Sequence, residues 1–194
     1  MMNAAVKPDD RGPVLLALAR AVIASALGER AEADASAPWL REPGASFVTL
    51  TQRGDLRGCI GSLEARRPLL EDVSANARAA AFRDPRFRPL VVEELRHTRV
   101  EVSLLSPLEP FPARSEDEAL ARMTERVDGL MLEWRGKRAT FLPQVWDQLP
   151  NPRDFFAHLK LKAGLAPDFW AEDLRLYRYH VAKWSEPETG PTVS

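Results

Sequence analysis

The chain has 194 residues, 45% of them hydrophobic, enough to bury a sizeable core as one large domain or two lobes. Its 27 basic and 28 acidic residues nearly cancel, so no global field points to nucleic acid or to an anionic membrane. A single cysteine, Cys59, excludes an internal disulfide and any multi-cysteine zinc site, and it suits a reducing cytosol.

The first residues lack the basic start, apolar run and cleavage site of a signal peptide, and no apolar run reaches membrane-spanning length. A cytoplasmic protein is expected, with no membrane attachment. Met1 to Asp10 reads as a loose tail. Val14 to Leu27 has Leu15, Leu18, Val22 and Ala26 at helical spacing, and Gly28 can end that helix. Glu29 to Ala45 is a long loop of small residues and prolines around Trp39.

Ser46–Gln52 and Leu56–Leu63 flank the turn Arg53-Gly54-Asp55 and predict a hairpin. The second arm carries the cysteine between two glycines, in Leu56-Arg57-Gly58-Cys59-Ile60-Gly61. Strand alternation puts Arg57, Cys59 and Gly61 on one face and Gly58, Ile60 and Ser62 on the other. Glycine inside a strand often marks a bulge or the close approach of backbone or ligand. A cation at Arg57 beside the thiol would favour thiolate. Cys59 is therefore the candidate nucleophile or ligand contact. Its competing role is that of a small buried hydrophobe, which free cysteine commonly plays.

Pro68 to Phe82 reads as a helix, with Leu70, Val73, Ala77 and Ala81 on one stripe, ended by Asp84-Pro85. The turn Asp84-Pro85-Arg86-Phe87 either points Arg86 back toward Cys59 or is a plain proline turn. Arg99–Ser106 alternates as a half-buried strand, and Ser115 with Glu118 matches a capping box. Gly129–Trp134 and Ala139–Leu142 predict a second hairpin, around Arg135-Gly136-Lys137. Pro152–Ala163 is a helix stopped by Gly164, and Leu174–Trp184 is a last strand. A single domain over residues 11–185 is expected, between tails at 1–10 and 186–194. Hairpins and helices without regular alternation argue an α+β fold with a largely antiparallel sheet flanked by helices.

Other chemistry is thin. His97, His158 and His180 match no metal-ligand spacing, and there is no glycine-rich phosphate loop, serine elbow or carboxylate pair. No metal or cofactor is expected. Arginine exceeds acid between Arg57 and Arg99, which could hold an anion but is more often a solvated face.

The LRGCIG block, Leu56 to Gly61, resembles the signature of the AmmeMemoRadiSam system protein A family, also called the AMMECR domain. The resemblance continues through Pro68–Val73, Ala80–Phe87, Glu101–Ser106, Asp128-Gly129-Leu130, Phe141–Val145, Lys162–Leu165 and Leu176–Tyr179. It implies two unequal lobes with a groove between them, lined by the signature. Cys59 is then the candidate catalytic residue, and Arg57, Gly58, Ile60, Gly61 and Arg86 are candidates for binding a ligand or partner. It also implies a Memo-like protein and a radical SAM protein as partners. Two departures stand out: many relatives have histidine where this chain has Asp128, and some have a second cysteine where it has Lys160. Three functions follow. The first is a binding or partner module for a small ligand, peptide or modified protein, narrowly preferred because no complete catalytic set is evident. The second is an enzyme using Cys59 as nucleophile. The third is an RNA-binding accessory factor, the weakest, so nucleic acid is not the expected partner.

Overall fold

A computed structural model describes residues 11–187. The expected tail at 1–10 and most of that at 186–194 lie outside the described residues. Within them, residues 11–105 with 182–187 form one compact unit and residues 106–181 a second.

The first unit is a sheet with helices packed on it. Helix α1 (Arg11–Ala26) ends where the sequence places its stop. Gly28 has φ +86°, its N–H reaches Ser25 O, and Glu29 N–H reaches Ala24 O, the paired bonds of a glycine-terminated helix. The buried face runs through Leu15, Leu18, Ala19 and Ile23. Leu15 and Leu18 are buried as predicted, but Val22 is only half-buried and Ala26 is exposed, so past Leu18 the stripe shifts to Ala19 and Ile23. A short 3-10 turn (Pro38–Arg41) breaks the long loop and buries Leu40.

Strands β1 (Pro43–Gln52) and β2 (Asp55–Gly61) form the predicted hairpin, antiparallel. Its turn is shorter than predicted: Arg53 and Gly54 both have positive φ, as a two-residue primed turn requires. Strand β3 (Arg67–Pro68) pairs with β1 and leads into helix α2 (Leu69–Phe82), after which comes a one-turn helix α3 (Val92–Leu95). Strand β4 (Thr98–Leu105) lies antiparallel to β1. Sheet order is β2-β1-β4-β9, with β9 (Val181–Ser185) closing the far side. The hairpin and the strand after α3 thus share one sheet, as expected.

Alternation decides which side chains face the helices. Val48 and Leu50 on β1 and Val100 and Val102 on β4 are fully buried against α1 and α2. Burying each such side chain stabilises the fold by about 1.5–3 kcal/mol. An aspartate at Val100 would put an unpaired charge into this layer and break it. Glu186 fastens the end of the unit. Its carboxylate accepts from Arg20 Nε at 2.9 Å and from Val100 N–H at 2.8 Å, so the chain stays anchored one residue beyond the predicted end of the domain.

The second unit holds β5 (Glu109–Pro110), α4 (Glu116–Arg122), β6 (Gly129–Trp134), β7 (Lys137–Phe141), α5 (Pro152–Lys162) and β8 (Arg175–Tyr179). Its sheet order is β5-β8-β6-β7, antiparallel throughout. Arg135-Gly136 repeats the positive-φ turn of the first hairpin, and Gly164, at φ +73°, stops α5 as predicted. The core stacks Trp146 on Phe155, ring centroids 3.9 Å apart, over Leu130, Leu132 and Leu159. The expected single last strand is two. The chain breaks at His180, so β8 belongs to the second sheet and β9 to the first.

Candidate functional site

Strand β2 is an edge strand of its sheet, and its glycines are there for space. A β-carbon on Gly58 would sit 2.2 Å from the carbonyl oxygen of Ala80, a backbone atom of α2. On Gly61 it would sit 2.2 Å from the ring of Phe47, the residue it faces across the hairpin. The first glycine lets α2 lie directly on the strand. The second lets an aromatic ring cover it.

Between them, Cys59 pairs with Thr49, whose chain neighbours Val48 and Leu50 are core residues. By alternation the thiol lies on the face turned from α2. It is half-buried, and Thr49 Oγ1 donates a hydrogen bond to Sγ at 3.2 Å. Such a hydroxyl orients the sulfur but is no base at neutral pH.

The backbone of Cys59 is gripped from the open edge of the sheet. Its N–H donates to Asp84 Oδ2 at 2.9 Å, and its carbonyl accepts from Arg86 Nη2 at 3.2 Å. Arg86 closes the clip on Asp84, Nε to Oδ1 at 2.9 Å and Nη2 to Oδ2 at 2.7 Å. Two side chains of one proline turn therefore do what a neighbouring strand would do, and they protect the edge. The Arg86 guanidinium holds the Asp84 carboxyl well below the usual carboxylate range, against the opposing effect of desolvation. Asp84, only 3% exposed, is thus a fixed anion. Arg86 does return to Cys59, one of the two roles open to it. Asp84 joins Arg86 in the site, and an aspartate before proline with an arginine two residues on is its signal in the sequence.

Arg57 is placed otherwise than expected. The register slips between Leu50 and Thr51, which face Gly58 and Leu56, leaving Arg57 as the extra residue of a bulge. The bulge re-aims its side chain to α3, where Nε and Nη2 bond the Glu94 carboxylate at 3.3 and 3.0 Å. That pairing, chiefly, lowers the Glu94 pKa. Arg57 serves Glu94 and not the thiol. Ile60 is partly buried and packs against the core of the first unit, so it supports the strand.

The strand runs on into a buried polar cluster. Asp72, 1% exposed, accepts from Ser46 N–H and Oγ, Ser62 Oγ, Arg67 Nε and Asn76 Nδ2, all at 2.7–3.0 Å. It ties both strands of the hairpin to α2. A cavity of about 330 Å³ opens beside it, lined by Ser62, Leu63, Arg66 and Arg67 among others.

The two departures noted in the sequence lie in the second unit. Asp128, fully buried, accepts Thr124 N–H at 2.8 Å and lies 3.0 Å from His180 Nε2, so the imidazole is held at 180 while 128 supplies the carboxylate. Lys160 is fully buried, with Nζ 2.8 Å from Glu116 Oε2. Among the described residues no group of three or more His, Cys, Asp or Glu could hold a metal ion, and no helix is long and apolar enough to cross a membrane.

The fold and site define an α+β protein whose edge strand carries a lone cysteine clipped through its backbone by an Asp-Pro-Arg turn. The chain belongs to the AMMECR1 family, whose model matches residues 16–184. It is 37% identical to Protein MJ0810 of Methanocaldococcus jannaschii, the match covering 92% of each chain. It is 38% identical to a protein of Aeropyrum pernix, over 95% of this chain and 83% of that one. Among solved structures it is similar to the uncharacterized protein PH0010 from Pyrococcus horikoshii. That match has a TM-score of 0.75 and 34% identity, covering 94% of this chain and 95% of the other.

Proposed function

We propose that the protein is a binding module whose recognition surface is the thiol-bearing face of β2, with Cys59 at its centre and Arg86 at its edge, while Gly58 and Gly61 support it by letting α2 and the Phe47 ring pack closely on the strand. The observation that carries this reading is the clip: Asp84 and Arg86 fix the N–H and the carbonyl of Cys59 from the open edge of the sheet, while the residue stays only partly buried. A preorganised surface loses little entropy on binding. The occupant is a small ligand, a peptide or a modified protein group, and a Memo-like protein and a radical SAM protein are the partners the family resemblance favours.

The nucleophilic reading of Cys59 has less support, because the hydrogen bond to Sγ comes from a threonine hydroxyl and not from a base. The RNA reading loses much of its arginine excess, since Arg57, Arg66, Arg67 and Arg86 are engaged by Glu94, Glu64, Asp72 and Asp84. The test is direct binding of purified Memo-like and radical SAM proteins to the wild type, Cys59→Ser and Arg86→Ala. Weaker binding by Cys59→Ser at unchanged melting supports the surface, and Arg86→Ala, which also unpairs the buried Asp84 carboxylate, is compared at a temperature where it is fully folded. Equal binding by all three proteins removes it.

A further inference from the structure

At the hairpin end of β2 the bulge leaves a group that the fold does not satisfy. Arg57 is 8% exposed and spends Nε and Nη2 on Glu94, while its buried Nη1 has no hydrogen-bond partner. Native proteins leave few such donors, and each calls for an acceptor from water, an ion or a ligand. Arg57 also lines a cavity of about 350 Å³ with Asp55, Leu56, Glu93, Glu94 and His97, within the size range of small-molecule sites. The rim carboxylates of Asp55 and Glu93 have no ion-pair partner among the described residues. Leu56 is 43% exposed there, and Val92, beside Glu93 in the chain, is 39% exposed.

We propose that this cavity binds a primary ammonium adjacent to a carbonyl, the chemistry of an α-amino amide or a peptide N-terminus. The carbonyl oxygen accepts from Arg57 Nη1, the ammonium meets Asp55 and Glu93, and an apolar side chain covers Leu56. Charge selects this class over a free carboxylate. Glu94 already neutralises Arg57, which leaves the two carboxylates of Asp55 and Glu93 against one arginine, Arg53, in the lining. The cavity does not involve the thiol, so it stands independently of the surface proposed above.

The probe is L-leucinamide, titrated into ¹⁵N-labelled protein while backbone amides and the Arg57 Nε–H are followed by NMR. N-acetyl-L-leucinamide, which lacks the charge, and isopentylamine, which lacks the carbonyl, are the comparators. The expected result is saturable shifts confined to residues 52–57 and 93–97, with both comparators weaker. Glu93→Gln, an exposed rim change that leaves the fold intact, should weaken leucinamide by about two- to fivefold. Absence of saturable shifts at millimolar leucinamide overturns the proposal. So does equal binding of the comparators, or a crystal soaked in leucinamide that shows only a water on Nη1. Alkylation of Cys59 in the same samples should not change, which separates this site from the thiol surface.

Discussion

Asp84 and Cys59 meet through the backbone: the buried Asp84 carboxylate accepts the Cys59 N–H at 2.9 Å, and Arg86, locked on that carboxylate, holds the Cys59 carbonyl. Strand β2 is therefore positioned by a turn more than twenty residues away. Asp84→Ala leaves a buried N–H without its acceptor and frees Arg86. A hydrogen bond to a charged group contributes about 1.5–3 kcal/mol, so a loss of that order is expected in chemical denaturation, with faster amide exchange at Cys59.

The same clip sets an acid dependence. The folded pKa of Asp84 lies below its unfolded value of about 3.9, so its stabilisation is complete above that value and is lost as pH falls toward the folded pKa. Wild type should lose stability below pH about 4 more steeply than Asp84→Asn, which has no proton to gain there. Parallel stability curves for the two proteins through this range would show that the carboxylate does not carry the effect.

Gly58→Ala forces a methyl group against the Ala80 carbonyl, and neither backbone can easily move. Overpacking of this kind costs about 1–3 kcal/mol. Gly61→Ala meets a side chain instead, the Phe47 ring, so pairing it with Phe47→Leu should recover part of its loss while Gly58→Ala has no such partner. Wild-type melting of Gly58→Ala would mean that α2 lies farther from the strand than described.

Lys160 and Glu116 form an ion pair with the lysine fully buried and the glutamate a quarter exposed. The Lys160 ammonium also lies 4.8 Å from the centre of the Phe156 ring. Lys160→Ala removes both the packing and the partner, at a cost of about 2 kcal/mol or more in melting experiments. Lys160→Met keeps the stem's volume, and its cost should be smaller than that of Lys160→Ala, because packing is retained and Glu116, a quarter exposed, can be rehydrated once its partner is gone. Equal losses would assign the whole effect to charge.

Local signals account for what could be read in the sequence. Positive-φ glycines at 28, 54, 136 and 164 end helices and turn hairpins where the pattern places them, because only short-range geometry is involved. Alternation along Arg99–Ser106 places Val100 and Val102 on the buried face for the same reason. What escaped depends on register or on distant partners. A one-residue bulge opposite Leu50 and Thr51 moves Arg57 off the face that strict alternation assigns it; Gly58 beside it marks a bulge or a close approach without saying which, or which residue is displaced. The last strand reads as one apolar-alternating run, yet tertiary pairing splits it at His180 between two sheets. The clip on Cys59 needed Asp84 and Arg86 brought to an edge that only the folded sheet creates.

The most direct test of the central claim is the native alkylation rate of Cys59, read by mass spectrometry with and without a saturating amount of the purified Memo-like protein. A partly buried Cys59 whose thiol faces a recognition surface should label in the folded protein and be protected when the partner is bound. A thiol that labels only after denaturation, or labels equally fast with the partner bound, contradicts the account.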